Sequence, residues 1–161
     1  MQARHLVGAL ALALSGCISP SVSLAPTSSG HSAHDPLAEE VKTGLADAFA
    51  MSFEPAGPHH ELGTAPDGVQ LDLVGVPVEE VVLSLPSEDR SAAVETGLAY
   101  LPHLRQLLDG PDAVWDWTAE ALACREDLGA DCEMSFAQGN LTAHFTDGGE
   151  DFLVLVITRE E

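Results

Sequence analysis

"NLTAHFTDGGEDFLVLVITREE", residues 140–161, decides the class of fold. In its first half Leu141, Ala143 and Phe145 alternate with Thr142 and His144. That period of two places alternate side chains on opposite faces of a strand. Asp147, Gly148 and Gly149 supply the residue types that favour a tight reversal. The second half, "FLVLVIT" (152–158), is apolar at both parities, which predicts a central strand covered on both sides of its sheet. The whole segment therefore predicts a β-hairpin set deep in a sheet.

The same reading extends backwards from the hairpin. "CEMSFAQ" suggests another strand near residues 131–138. "GVQLDLVGV" (68–76) puts Val69, Leu71 and Leu73 on one face, and "VEEVVLSL" (78–85) does the same with Val81, Leu83 and Leu85. The "GVP" between them (75–77) is a turn, so these two runs predict a second hairpin. Between the two hairpins the period changes to that of a helix. "SEDRSAAVETGLAYL" (87–101) has a capping residue in Ser87 and helical spacing through Val94, Leu98 and Leu101. Pro102 is expected to kink or break this helix. "HLRQLL" resumes it, Gly110 stops it, and Pro111 opens another helix carrying Val114, Trp117, Ala121 and Cys124. Nearer the start, Asp35 caps and Pro36 opens a helix over about residues 36–51, with Leu37, Val41, Leu45 and Phe49 on one face. "EPAGPHHELGTAPDG" (54–68), with three prolines and three glycines, reads as a loop or second linker. The expectation is an α+β fold. Its sheet is antiparallel or mixed, of about five strands, with two or three helices packed on one face. The folded domain would span 67–161, preceded by an amphipathic helix and Pro/Gly loop over 35–66.

The beginning of the chain carries a different kind of signal. Arg4 precedes "LVGALALALSGC" (6–17). Its apolar core of about ten residues is too short for a bilayer span of roughly 20 and fits a secretory signal peptide, residues 1–16. "LSGC" at its end (Leu14 to Cys17) resembles the lipobox of bacterial lipoproteins. The resemblance covers residues 1–17 alone. It implies cleavage before Cys17, a lipid on Cys17, and a protein anchored in the membrane of the cell envelope. With Ile18 rather than Asp in second place, it implies the outer membrane where the host has two. The uncharged Ser/Pro/Ala segment 18–34 then reads as a tether, so residues 17–34 hold the domain off the lipid. Of three cysteines, lipidation of Cys17 leaves Cys124 and Cys132. In an oxidising compartment this pair is expected to form a disulfide, contributing roughly 2–3 kcal/mol through its short loop.

Charge narrows the function classes. The chain has 26 acidic against 6 basic side chains, a formal net charge of -20. Removing residues 1–16 takes away Arg4, the only charged side chain there, leaving 5 basic against 26 acidic and -21. Nucleic acid, which needs a basic patch, is excluded as a partner. Cationic partners are favoured, either basic proteins or divalent ions, while solubility or adaptation to salt is the plain alternative.

Candidate residues for chemistry are few. His31, His34 and Asp35 in "HSAHD", with His59, His60 and Glu61 in "PHHE", offer ligands for a divalent metal. Both groups sit in segments with no expected rigid frame, however. "DGGED" and "REDLGADCE" are acidic but do not match a calcium loop. There is no G-x-S-x-G elbow and no phosphate loop. Trp115 and Trp117, two apart on a helix, point to different sides, which makes one of them a candidate interface anchor. No cofactor is implied. The expected function is a non-enzymatic, lipid-anchored module that binds a protein partner, with a basic one favoured. Divalent-metal binding or delivery through the tether histidines is the alternative.

Overall fold

A computed structural model describes residues 35–125, 135–147 and 152–160, all within the compact unit Ser32–Glu161. The fold is α+β, as expected. Helix α1 (Pro36–Phe49) is followed by strands β1 (Ser52–Gly57), β2 (His60–Thr64), β3 (Gln70–Val74) and β4 (Glu80–Pro86). Helices α2 (Arg90–Leu107) and α3 (Asp112–Cys124) come next, then β5 (Ser135–Gln138), β6 (Leu141–Asp147) and β7 (Phe152–Arg159). All neighbouring strands pair antiparallel, in the order β1-β2-β3-β4-β7-β6-β5. The last hairpin thus docks its second arm against β4, and the two halves of the sheet join there.

Register explains the core. Side chains paired across strands share a face, so one row runs Phe53, Gly63, Leu71, Leu83, Leu155 and Phe145. The next row runs Pro55, Glu61, Leu73, Val81, Ile157, Ala143 and Phe136. From Leu71 and Leu73 to Phe145 and Ala143 both rows are buried. The helices cover this face. In α1, Val41 and Leu45 are buried. In α2, a Cβ on Gly97 would lie 2.8 Å from Leu85 and 2.6 Å from Leu122, so the missing side chain lets α2 approach both the sheet and α3. In α3, Trp117 stacks on Phe136 at 5.7 Å between ring centres and lies 6.0 Å from Phe145.

Four expectations need correction. The sheet has seven strands rather than about five, because residues 54–68 are not a linker: most of this stretch forms the hairpin β1–β2. The compact unit Ser32–Glu161 takes in α1 and the hairpin β1–β2 together with the later elements. The prolines and glycines that argued against a strand each have a place in it. Pro55 lies on the edge strand, where proline is tolerated, and Gly57 marks a shift of register. Gly63 leaves room for its partner's ring, since a Cβ there would come within 2.7 Å of Phe53 and Met51. Second, α2 runs through Pro102. The carbonyl that loses its helical partner belongs to exposed Leu98, on the solvent side of the helix, while buried Tyr100, Leu101 and Leu104 hold the helix on its other side. Third, the cap of α2 is Asp89, which accepts from the Ala92 N–H at 3.1 Å, rather than Ser87. Fourth, β7 is central but covered on one face only among the described residues: Phe152, Val154 and Val156 are half-buried.

Gly75 opens the β3–β4 turn at φ +98°, and a Cβ there would meet the Pro77 carbonyl oxygen at 2.7 Å. Gly75→Ala should therefore cost about 2–3 kcal/mol in urea unfolding; a loss below about 0.5 kcal/mol would mean that the turn relaxes freely.

Candidate functional site

The residues singled out from sequence do not converge. His31 and His34 lie outside the described residues, as do Cys17 and Cys132. His59 is exposed in the β1–β2 turn at φ +56°. His60, on β2, bonds through Nε2 to Asp72 Oδ1 on β3 at 2.6 Å. Glu61 is turned to the other face of the sheet and accepts from Lys42. Consecutive residues of one strand thus point to opposite sides, which separates two of the three ligands proposed in "PHHE". No group of three potential metal ligands forms among the described residues. Cys124 is the last residue of α3 and is disulfide-bonded. Trp115 is buried and Trp117 half-buried against Phe136, so both indoles are engaged with the core.

Lys42 has a structural task that the sequence did not announce. From α1 its Nζ reaches Glu61 Oε2 at 2.7 Å, pairs with Glu39, and sits 6.0 Å from the Phe53 ring centre. It clamps α1 onto the β1–β2 hairpin. Burial alone would lower its pKa, but the hydrogen bonds and charges of Glu39 and Glu61 outweigh burial and hold it above the usual 10.5. Tyr100 stacks on Phe49 at 4.0 Å, and its buried hydroxyl has no hydrogen-bond partner. Burial first, and the charge of Asp67 second, push its pKa up to about 12.

A shallow cavity of about 230 Å³ lies where β4 meets the start of α2, floored by Val69, Leu85 and Ala93 and rimmed by Asp67, Glu88 and Asp89. Two of those carboxylates already accept from backbone N–H groups, Asp67 from Val69 and Asp89 from Ala92. The volume falls below the usual range of small-molecule pockets.

The larger feature is the face of the sheet opposite the helices. Its middle row runs Glu54, Leu62, Asp72, Val82, Val156, His144 and Ser135. On one side lies Ser52, Thr64, Gln70, Ser84, Val154 and Thr146; on the other, His60, Val74, Glu80, Thr158, Thr142 and Ala137. Pro86 and Phe152 pair beyond Val154. None of these residues is fully buried, and none is Lys or Arg. Sequence reasoning missed this surface because it took the second apolar parity of "FLVLVIT" as evidence for a second covering layer. No family model, curated protein or solved structure matches the chain.

Both shifted groups favour the folded state below pH 10. The Lys42 pairing is complete below 10.5 and is lost as pH rises through the folded value; Tyr100 ionises in the unfolded chain near 10 but in the folded chain only near 12, so folding weakens across that interval. Lys42→Met should cost about 1–3 kcal/mol at neutral pH, through the carboxylates left unpaired. Tyr100→Phe should be neutral or stabilising by about 1 kcal/mol, because it removes an unpaired hydroxyl. Urea titrations at neutral pH and near pH 11 check both, and the alkaline loss should shrink in each variant.

Proposed function

We propose that the chain is a lipid-anchored protein of the cell envelope whose acidic α+β unit binds a basic protein partner and catalyses no reaction. The reading of the anchor rests on the sequence "LSGC", with Cys17 as the lipidated residue. The reading of the partner rests on one observation: the few cations of the described residues are largely engaged by groups of the chain itself. Lys42 pairs with Glu39 and Glu61, and Arg105 pairs with Asp112. Arg159 donates to the Leu107 carbonyl at 3.2 Å, and the Arg125 guanidinium lies 5.1 Å from the Phe145 ring centre. Carboxylates with no Lys or Arg beside them, such as Glu40 and Asp47 on α1, Glu54 on β1, Glu95 on α2 and Asp116 and Glu120 on α3, give a field that attracts cationic surfaces and repels anionic lipid headgroups. On this reading lipid, rather than surface charge, holds the protein to the membrane.

Two measurements test the two halves. Cys17→Ser should move the protein from the membrane fraction to the soluble one, and retention on the membrane would remove the anchor from the proposal. A lysine-rich synthetic peptide should bind the full chain with an affinity that falls at least about tenfold between about 50 and about 500 mM salt. Absence of binding, or binding indifferent to salt, would remove the basic partner.

A further inference from the structure

We propose that the open face of the sheet is a docking surface for a cationic amphipathic helix of another protein. This rests on the reading of the chain as a binder of basic proteins and assigns that activity to one surface. The uncovered face of an antiparallel sheet is ordinarily polar. Here its two central strands carry an apolar strip: Phe152, Val154 and Val156 along β7, beside Pro86 and Val82 on β4. From Phe152 to Val156 the strip extends about 13 Å, the length of about nine helical residues. A single helix laid along β4 and β7 covers it.

Charge on the same face selects the kind of helix. On the β3 side Val82 is paired with Asp72, and Leu62 and Glu54 follow in the same row. Glu80 stands beside Val74 and Thr158. On the β6 side the neighbours are Thr142, His144 and Thr146. Carboxylates therefore flank the strip on one side, hydroxyls and an imidazole on the other, and no Lys or Arg lies among the described residues of the face. The complementary occupant has an apolar stripe over the valines and Lys or Arg on the flank that faces Glu80 and Glu54, since Asp72 on that flank is already bonded to His60. A second copy would present a face that likewise carries carboxylates and no Lys or Arg among its described residues, so it supplies no such cation to meet them. A contact of this size falls in the weak, transient class.

The test uses the full chain and a synthetic 18-residue peptide of Leu, Ala and Lys, with its leucines on one helical stripe. Amide NMR shifts on titration should cluster at Val74, Val82, Val154 and Val156. Val82→Thr with Val156→Thr, which keeps residues suited to strands, should weaken binding about tenfold. Glu54→Lys with Glu80→Lys should weaken it by a similar factor, while Glu40→Lys with Glu95→Lys on the helical layer should change it less than about threefold. Circular dichroism verifies that each variant folds. Equal losses from both charge-reversed pairs, with the threonine pair unaffected, would overturn this face as the docking surface but leave the basic-partner reading intact. Failure of the peptide to bind at all would overturn both. A chain that is dimeric, and that the threonine pair renders monomeric, would assign the face to a second copy and overturn the proposed occupant.

Discussion

Two rows of side chains crossing the sheet are the constraint on which the remaining structure depends. Because paired residues in neighbouring strands share a face, Leu71, Leu83, Leu155 and Phe145 must all be buried together or all be exposed together. The same holds for Leu73, Val81, Ile157 and Ala143. A slip of one residue at the β4–β7 junction would pair Leu83 with Val154 or Val156 and turn one half of the sheet over against the other, stranding the leucines of that half in water. The helices then follow: Gly97 allows α2 to close on Leu85 and Leu122, and Trp117 brings α3 onto Phe136 and Phe145.

Much of this fold was legible in the sequence, wherever apolar spacing had a single interpretation. The pattern gave both later hairpins, all three helices and the inward parity of Leu141, Ala143 and Phe145. It failed where a residue's local preference was overruled by its neighbours. Gly63 reads as a strand breaker, yet it is required where the ring of Phe53 lies across it, and this fact exists only once β1 and β2 are paired. Pro102 reads as a helix stop, yet it falls on the wet side of a helix whose other side is fixed by Tyr100, Leu101 and Leu104. The candidate surface was illegible for a related reason. Alternating and non-alternating apolar runs distinguish one apolar face from two, but do not say whether the second face is covered by the chain itself.

Polar groups show the same division between what spacing reveals and what folding creates. The proposed lipidation signal ending at Cys17 is written in consecutive residues and needs no fold to be read. Lys42 and Glu61 are 19 residues apart. The clamp they form depends on β2, which the sequence did not yield, so nothing in the spacing of residues marks Lys42 as a partner of Glu61. In a chain so short of cations, placing the single lysine in an ion pair within the fold removes a positive charge that would otherwise offset the surface.

The two edges of the sheet have a consequence for the protein in a crowd. At one end β1 carries Pro55 and shifts register before Gly57; at the other, β5 is only four residues long. An intact edge is a template on which further strands polymerise, and proline, irregularity and brevity each spoil that template. A growable edge would seed fibrils wherever copies of a protein meet often. Among the described residues both edge strands carry such features, so copies of the chain can crowd together without knitting themselves into a larger β-structure.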